Sequence, residues 1–568
     1  MVLVVAACTA HARVGGGDDS DGGDTPAPTL ELAPAHASVT VTDGVAQTVA
    51  YTATLVRADG SRTDVTAATS FAVDDGLGEF HGAALTAAGA RAGRGTVTAM
   101  TSGLTASAEV EVSVHQHRID PSVPGYAPAL FASAAEDPQR APSLVYPVTG
   151  TIVPPNLGIL DIHWSDTHGN DLFEIAVRSP YVELDTYSRV TSPASFVQLR
   201  AADWQLIGPS HRGAEVTITV RGIDSRVATP AAGTSAPVTL AITSEDVRGG
   251  VYYWAASAQG LYRHDFGDPE HAAERYLGPA EDGGRCVGCH ALSRDGTKLA
   301  VTYGGNDGPS TIMDVATRTA MLPDDGTALR SNFTSFFPDG QSFVATYQGT
   351  LTWRDTATGA IRATLDTLGK ADHPDVSPQG DRVVWVSYTD GNDVFPSGPS
   401  EMYEQRVVNG AFGAPERLLS SPGTGLRYCY PTFSPDGVWI LYDVVLGDCY
   451  DDDRAQLWVV RADGAQPPRR LTSADVTTGL TNSWARWAPF AQTTGPDHEP
   501  VFWFTISSKR GFGVRAGAGR PQLWMAPFFP ARAAAGADPS GPMFWLPFQD
   551  LATSNHIAQW TTQIIPVN

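Results

Sequence analysis

Residues 289–301 read CHALSRDGTKLAV, and three later stretches repeat their design: FTSFFPDGQSFVA at 333–345, HPDVSPQGDRVVW at 373–385 and YPTFSPDGVWILY at 430–442. Each has Ser or Phe, then Arg or Pro, then Asp or Gln, then Gly, followed by polar residues and an apolar run. Pro or Asp before Gly supplies the dihedrals of a tight hairpin turn, so the motif has a mechanical cause. A fifth stretch, WARWAPFAQ from Trp484, keeps the aromatic spacing and lacks the Asp-Gly. Aligned on Ser293, Phe337, Ser377, Ser434 and Ala488, the units are 44, 40, 57 and 54 residues apart. A self-similar unit of that length is one four-stranded supersecondary element repeated along the chain.

These turns resemble the SPDG repeats of TolB-type β-propellers, and LWVVRADGAQPPRRLT (457–472) resembles the outer-strand ending of a blade in that family. The stretch GGVYYWAASAQGLYRHD (249–265) adds strands that begin or close the ring, and TTQIIPV near the end of the sequence is placed to complete a blade begun earlier. Five registers plus this segment predict about six blades over residues 246–568. The resemblance implies that the residue opening each innermost strand lies at the mouth of the central channel. By alignment those residues are Cys289, Phe333, His373, Tyr430 and Trp484.

Upstream, residues 29–116 alternate with period two, as at Val39 and Val41 and at Val49, Tyr51, Ala53 and Leu55, with Asp-Gly turns at 43–44 and 59–60. ADGSRTDVTAATSF and GTVTAMTSGLTASAEVEV resemble the group 2 bacterial Ig-like modules, which implies a spacer. Residues 117–143 read as a Pro-containing linker. Residues 144–245 carry GILDIHWSD, DLFEIAVRS, AEVTITVRGID and APVTLAIT, a pattern similar to a fibronectin type III-like sandwich, with Trp164 and Trp204 as core aromatics. The fold class is therefore all-β: two Ig-like or fibronectin-like sandwiches before a C-terminal β-propeller.

Composition agrees with many short strands. The 568 residues are 42% hydrophobic and 17% charged, with 57 Gly and 41 Pro. The formal charge of −23 argues against nucleic-acid binding, because an acidic surface repels phosphates. Cys8, in VVAAC, resembles a bacterial lipobox and is the expected lipidation site. The Gly/Asp/Pro stretch GGGDDSDGGDTPAP after it reads as a solvated tether, so residues 1–28 form a truncated lipoprotein signal and tether. The expectation is a periplasmic or outer-membrane lipoprotein that meets the membrane only through the lipid.

Cys286, Cys289 and His290 spell C-x-x-C-H, the attachment signature of a c-type haem, with two thiols for the vinyl groups and an imidazole for the iron. His373 is the first positional candidate for the distal iron ligand, ahead of Met313, Met321 and His556. Two other readings stand beside the haem. Cys286 and Cys289 form a disulfide or redox pair with His290 as a turn residue, or the three bind zinc with His373 as a fourth ligand. Cys429 and Cys449 are expected to bond in an oxidising compartment. Asp448, Asp451, Asp452 and Asp453 read as a solvated acidic loop, lacking the spacing and Gly of a calcium loop. There is no G-x-S-x-G, P-loop or dinucleotide fingerprint, and His290 with His373 is the only hint of a catalytic cluster. The function expected is a binding or scaffold propeller for an envelope protein, peptide or glycan. The alternative is a haem-carrying propeller in electron transfer or redox sensing.

Overall fold

The computed structural model describes residues 27–567 apart from 75, 191–193, 392–395 and 477–479, so Cys8 lies outside the described residues. No helix among the described residues is long and apolar enough to cross a membrane. The chain divides into two compact units: residues 1–145 with 161–240, and residues 146–160 with 241–568.

The first unit is built of sheets, and one strand dominates it. Leu104–Ile119 carries apolar residues at every second position, with Ala106, Ala108, Val110, Val112 and Val114 all buried. Its first part pairs antiparallel with Gly93–Thr101 and parallel with His36–Thr42, and its last six residues pair parallel with Val182–Arg189. The expected linker at 117–143 is therefore not a linker. Its first residues continue this strand, and Ala127–Ser133 forms a helix whose Ala127 and Phe131 pack on Leu172, Tyr187, Ile223 and Ala232. Polar HQHRI hides the strand because its side chains are half-buried, and only the backbone pairing reveals it. Trp164 and Trp204 are both buried, Trp204 on a helix, Ala201–Ser210.

The second unit is a propeller of six sheets, each a meander of antiparallel strands. The innermost strands of blades 2 to 6 are Val287–Leu292, Thr334–Phe336, Lys370–Val376, Arg427–Phe433 and Asn482–Thr494. Blade 1 is composite. Gly250–Ala255, Gly260–Asp265 and Glu274–Leu277 supply three strands, and Asn555–Thr561 from the far end of the sequence supplies the innermost one. That strand pairs antiparallel with Gly250–Ala255, which closes the ring and leaves no open edge between first and last blades. The closing strand thus lies just before most of the TTQIIPV stretch expected to form it. Residues 146–160, expected in the second sandwich, belong with the propeller. Asn156 Nδ2 donates to the carbonyls of Val247 (2.8 Å) and Phe266 (2.7 Å), and its Oδ1 accepts from Val247 N (2.9 Å).

The repeated turn has the same bonding in every blade that carries it. Gly296, Gly340, Gly380 and Gly437 have φ of 65–73°, the left-handed region open to glycine. Their amides donate to the carbonyls of Ser293, Phe337, Ser377 and Ser434 at 2.8–2.9 Å. Where the first residue is Ser, its hydroxyl also accepts the amide five residues on, from Lys298 (2.9 Å), Arg382 (3.0 Å) and Trp439 (2.9 Å). Phe337 forgoes that bond and buries its ring between blades 3 and 4 instead. Blade 5 is also stapled covalently: Cys429 on its innermost strand bonds to Cys449, both fully buried, with Cα atoms 5.7 Å apart.

Two stability measurements test this account. Gly296→Ala and Gly437→Ala should each cost about 1–2 kcal/mol for the left-handed backbone. Gly296→Ala should cost more, because its new Cβ would lie 2.8 Å from the Gln563 carbonyl, whereas at Gly437 it meets only the flexible end of Gln379. Equal urea midpoints for the two variants would contradict this. Reducing Cys429–Cys449, which spans 20 residues, should lower stability by about 3 kcal/mol, read as a midpoint shift with and without reductant.

Candidate functional site

The innermost strands share a distortion that builds the site. Pairing with the second strand slips at Asp372/Asp375, Cys429/Thr432 and Ser483/Arg486, a β-bulge in blades 4, 5 and 6. The residues at the slip, His373, Tyr430 and Trp484, have φ of 50–60°, as does Ile557 at the matching place on the closing strand. An L-residue held there costs about 1–2 kcal/mol, and Ile557 is β-branched as well. The bulge frees an amide from the ladder, and a side chain takes each one. Tyr430 N donates to His373 Nδ1 (3.4 Å), Trp484 N to Asp443 Oδ2 (3.1 Å), Ile557 N to Ser507 Oγ (3.1 Å) and His373 N to Asp372 Oδ1 (2.8 Å).

The result is a ring of side chains aimed at the propeller axis. Tyr430 stacks on Trp484 with centroids 4.0 Å apart, and His373 lies 4.2 Å from Tyr430 and 4.5 Å, edge-on, from Phe333. Phe333 of blade 3 and Trp484 of blade 6 meet across the axis at 5.8 Å. All four are buried, with Ile557 beside them, so the channel is plugged by packed rings. Cys289, the aligned residue of blade 2, is half-buried at the edge of this plug, and its thiol donates to Asn332 Oδ1 (3.2 Å).

Above the plug lies an almost wholly apolar cavity of about 270 Å³, bordered by Trp254, Phe333, Tyr450, Trp484, Ile557 and both free thiols, with Gly304, Gly305 and Asn306 at its edge. The disulfide serves this cavity, because it fixes the loop carrying Tyr450. That ring stacks on His556 (5.6 Å) and meets Trp484 edge-on (6.2 Å). The acidic loop around it is internally bonded. Asp452 accepts from the Leu446 and Gly447 amides, and Asp451 pairs with Lys509 (2.5 Å). No group of three or more potential metal ligands forms among the described residues, so the Cys286, Cys289, His290 and His373 set does not converge on a zinc site.

The C-x-x-C-H run does not present its three groups to one place. Pairing of the strand Val287–Leu292 with Lys298–Tyr303 slips between Val287 and His290, and His290 does not line the cavity that the two thiols border. Both thiols border the apolar cavity. His290 is buried instead toward blade 1, with Nε2 3.4 Å from the Tyr252 carbonyl. The cavity is also below the roughly 300–1,000 Å³ of ordinary small-molecule sites, and a tetrapyrrole is a large one. These residues do not fit a covalent haem. Nor are the expected distal ligands placed for iron. His373 is wedged between Phe333 and Tyr430, Met313 is in the core between blades 1 and 2, Met321 is exposed on an outer strand's end, and His556 is stacked under Tyr450.

Burial sets the protonation states. It pulls His290 and His556 down to about 4 and His373 well below its ordinary value, so all three imidazoles are neutral at neutral pH. Burial, reinforced by the charge of Asp372, pushes the Cys289 thiol up to about 12. His290 and His373 border one crevice of only about 20 Å³, room for about one water. Sequence reasoning missed Ile557, which has no Asp-Gly turn after it, and Trp254 and Tyr450, which lie outside the repeat register. A signal for Tyr450 existed in its position next to Cys449.

The sequence matches no known family profile and no curated protein. Among solved structures it is similar to TolB from Acinetobacter baumannii, with 16% identity over 75% of this chain and 98% of that one, at a TM-score of 0.35. A chain of the nidogen/laminin complex gives 11% identity over 56% and 99%, at 0.33. Oligogalacturonate lyase from Vibrio parahaemolyticus gives 13% identity over 50% and 71%, at 0.29. At these scores the likenesses carry no argument about function. The propeller stands on its own six sheets and closed ring.

Proposed function

We propose that the chain is a binding module of the bacterial cell envelope, held at a membrane through Cys8, whose propeller takes up an apolar side chain of a peptide or protein partner. One observation carries this reading: the apolar cavity above the aromatic plug, walled by Trp254, Tyr450, Phe333, Trp484 and Ile557. Large aromatic rings held rigid by a bulge, a stack and a disulfide are already ordered, so a ligand loses little in fixing them. A glycan is disfavoured, because its hydroxyls need polar partners and this wall offers few. Glycines 304 and 305 at the edge let a partner's backbone approach closely.

Selection of random peptides on the immobilised full chain tests this. Retained peptides should share an aromatic or branched aliphatic residue and quench tryptophan fluorescence. Trp254→Ala should weaken them by about 2 kcal/mol, roughly 30-fold. Unchanged affinity in a folded Trp254→Ala protein would sink the proposal. A second measurement separates it from the haem reading. In the native protein at about pH 8, iodoacetamide should modify exposed Cys286 at least about tenfold faster than Cys289, whose thiol stays protonated. Peptide mass mapping that finds both thiols blocked by a haem would restore electron transfer.

A further inference from the structure

The other end of the channel has the opposite chemistry. Two residues after each ring position the innermost strands bring Ser335, Asp375, Thr432, Arg486 and Gln559 to the channel wall, and Arg294 comes from the turn of blade 2. They border a polar cavity of about 130 Å³ whose rim is formed by the prolines of the repeated turns. Arg486 uses one donor, from Nη1 to the Ala485 carbonyl (2.9 Å), and Arg294 uses one, from Nη1 to the Pro378 carbonyl (3.3 Å). Neither guanidinium makes a second hydrogen bond or a close ion pair among the described residues, although each carries five N–H groups. Their unused N–H groups are not sealed in the protein interior, and guanidinium groups stay charged.

Asp375 is the carboxylate on this wall, and it is already engaged. Asp375 accepts from Ser335 Oγ (3.0 Å) and from the Phe433 amide (2.8 Å), which ties blades 3, 4 and 5 together. It lies outside ion-pairing distance of both arginines among the described residues. On the cavity wall itself two guanidiniums face one carboxylate, while buried Asp443 also lies within electrostatic reach of Arg486. A carboxylate, with two acceptor oxygens in one plane, matches the fork of an arginine.

We propose that Arg294 and Arg486 form a carboxylate-binding site at the turn end of the channel, distinct from the apolar cavity at the other end. Its ligand is a carboxylate group, carried either by a small free acid or by the C-terminus of a peptide.

Saturation-transfer NMR on the full chain distinguishes these sources and tests the site. Acetate and N-acetyl-Ala-Ala are the probes, with N-acetyl-Ala-Ala amide and inorganic phosphate as comparisons, each at about 1 mM or above, where weak sites fill. At least one acid should bind and the amide should not. Binding of the dipeptide acid well above acetate assigns a peptide terminus, and the converse assigns a free acid; both support the site. Arg486→Gln and Arg294→Gln should each weaken binding at least tenfold, while Arg520→Gln, on the exposed surface, should leave it unchanged. Near-ultraviolet circular dichroism verifies that the variants fold, and Arg294 at the rim remains informative if Arg486→Gln does not. Equal binding of acid and amide, binding indifferent to both arginines, or phosphate bound more tightly than either acid would overturn the assignment.

Discussion

Pairing between Asn555–Thr561 and Gly250–Ala255 is the constraint on which the propeller depends. Five blades and three strands of a sixth would present two open edges and an unclosed channel. With the last strand inserted at the axis of the first blade, each innermost strand gains a neighbour on both sides, and the rings they carry meet. Thr562 N then bonds to the Arg294 carbonyl (3.0 Å), so the closure also fixes the turn that bears one of the channel arginines. Ring closure therefore governs both ends of the channel.

Within that ring, strain is accepted for position. Four residues adopt a left-handed backbone that none of their side chains favours, and each freed amide is taken by a side chain. In two of the four, the acceptors Asp443 and Ser507 belong to the preceding blade's second strand, so the bond that relieves a bulge also ties neighbouring blades. The aromatic plug that results divides the channel into an apolar end and a cationic end. Such a division suits a surface that reads two chemical groups separately, and it excludes passage through the ring.

Long-range contact explains why the C-x-x-C-H stretch misleads. As sequence it carries every group a covalent haem requires. As a bulged β-strand it turns the two thiols to the apolar cavity and buries His290 against the Tyr252 carbonyl of blade 1. The local motif is subordinate to the strand that the repeat imposes on it.

The repeat was legible from the residues alone, since Asp-Gly turns and apolar runs are local properties of the chain. They determined an all-β chain and a propeller of about six blades, and they put Cys289, Phe333, His373, Tyr430 and Trp484 in one register. Ile557 stayed hidden because the closing strand has no such turn after it. Leu104–Ile119 hid its last residues because polar side chains masked a backbone that goes on to pair with Val182–Arg189. Only the tertiary structure decided that Trp254, Tyr450 and the two thiols share a cavity, and that Arg294 and Arg486 point into another without a carboxylate partner. Those groups lie as much as about 200 residues apart, and what joins them is the closure of the ring, which no local pattern of hydrophobicity or turn residues encodes.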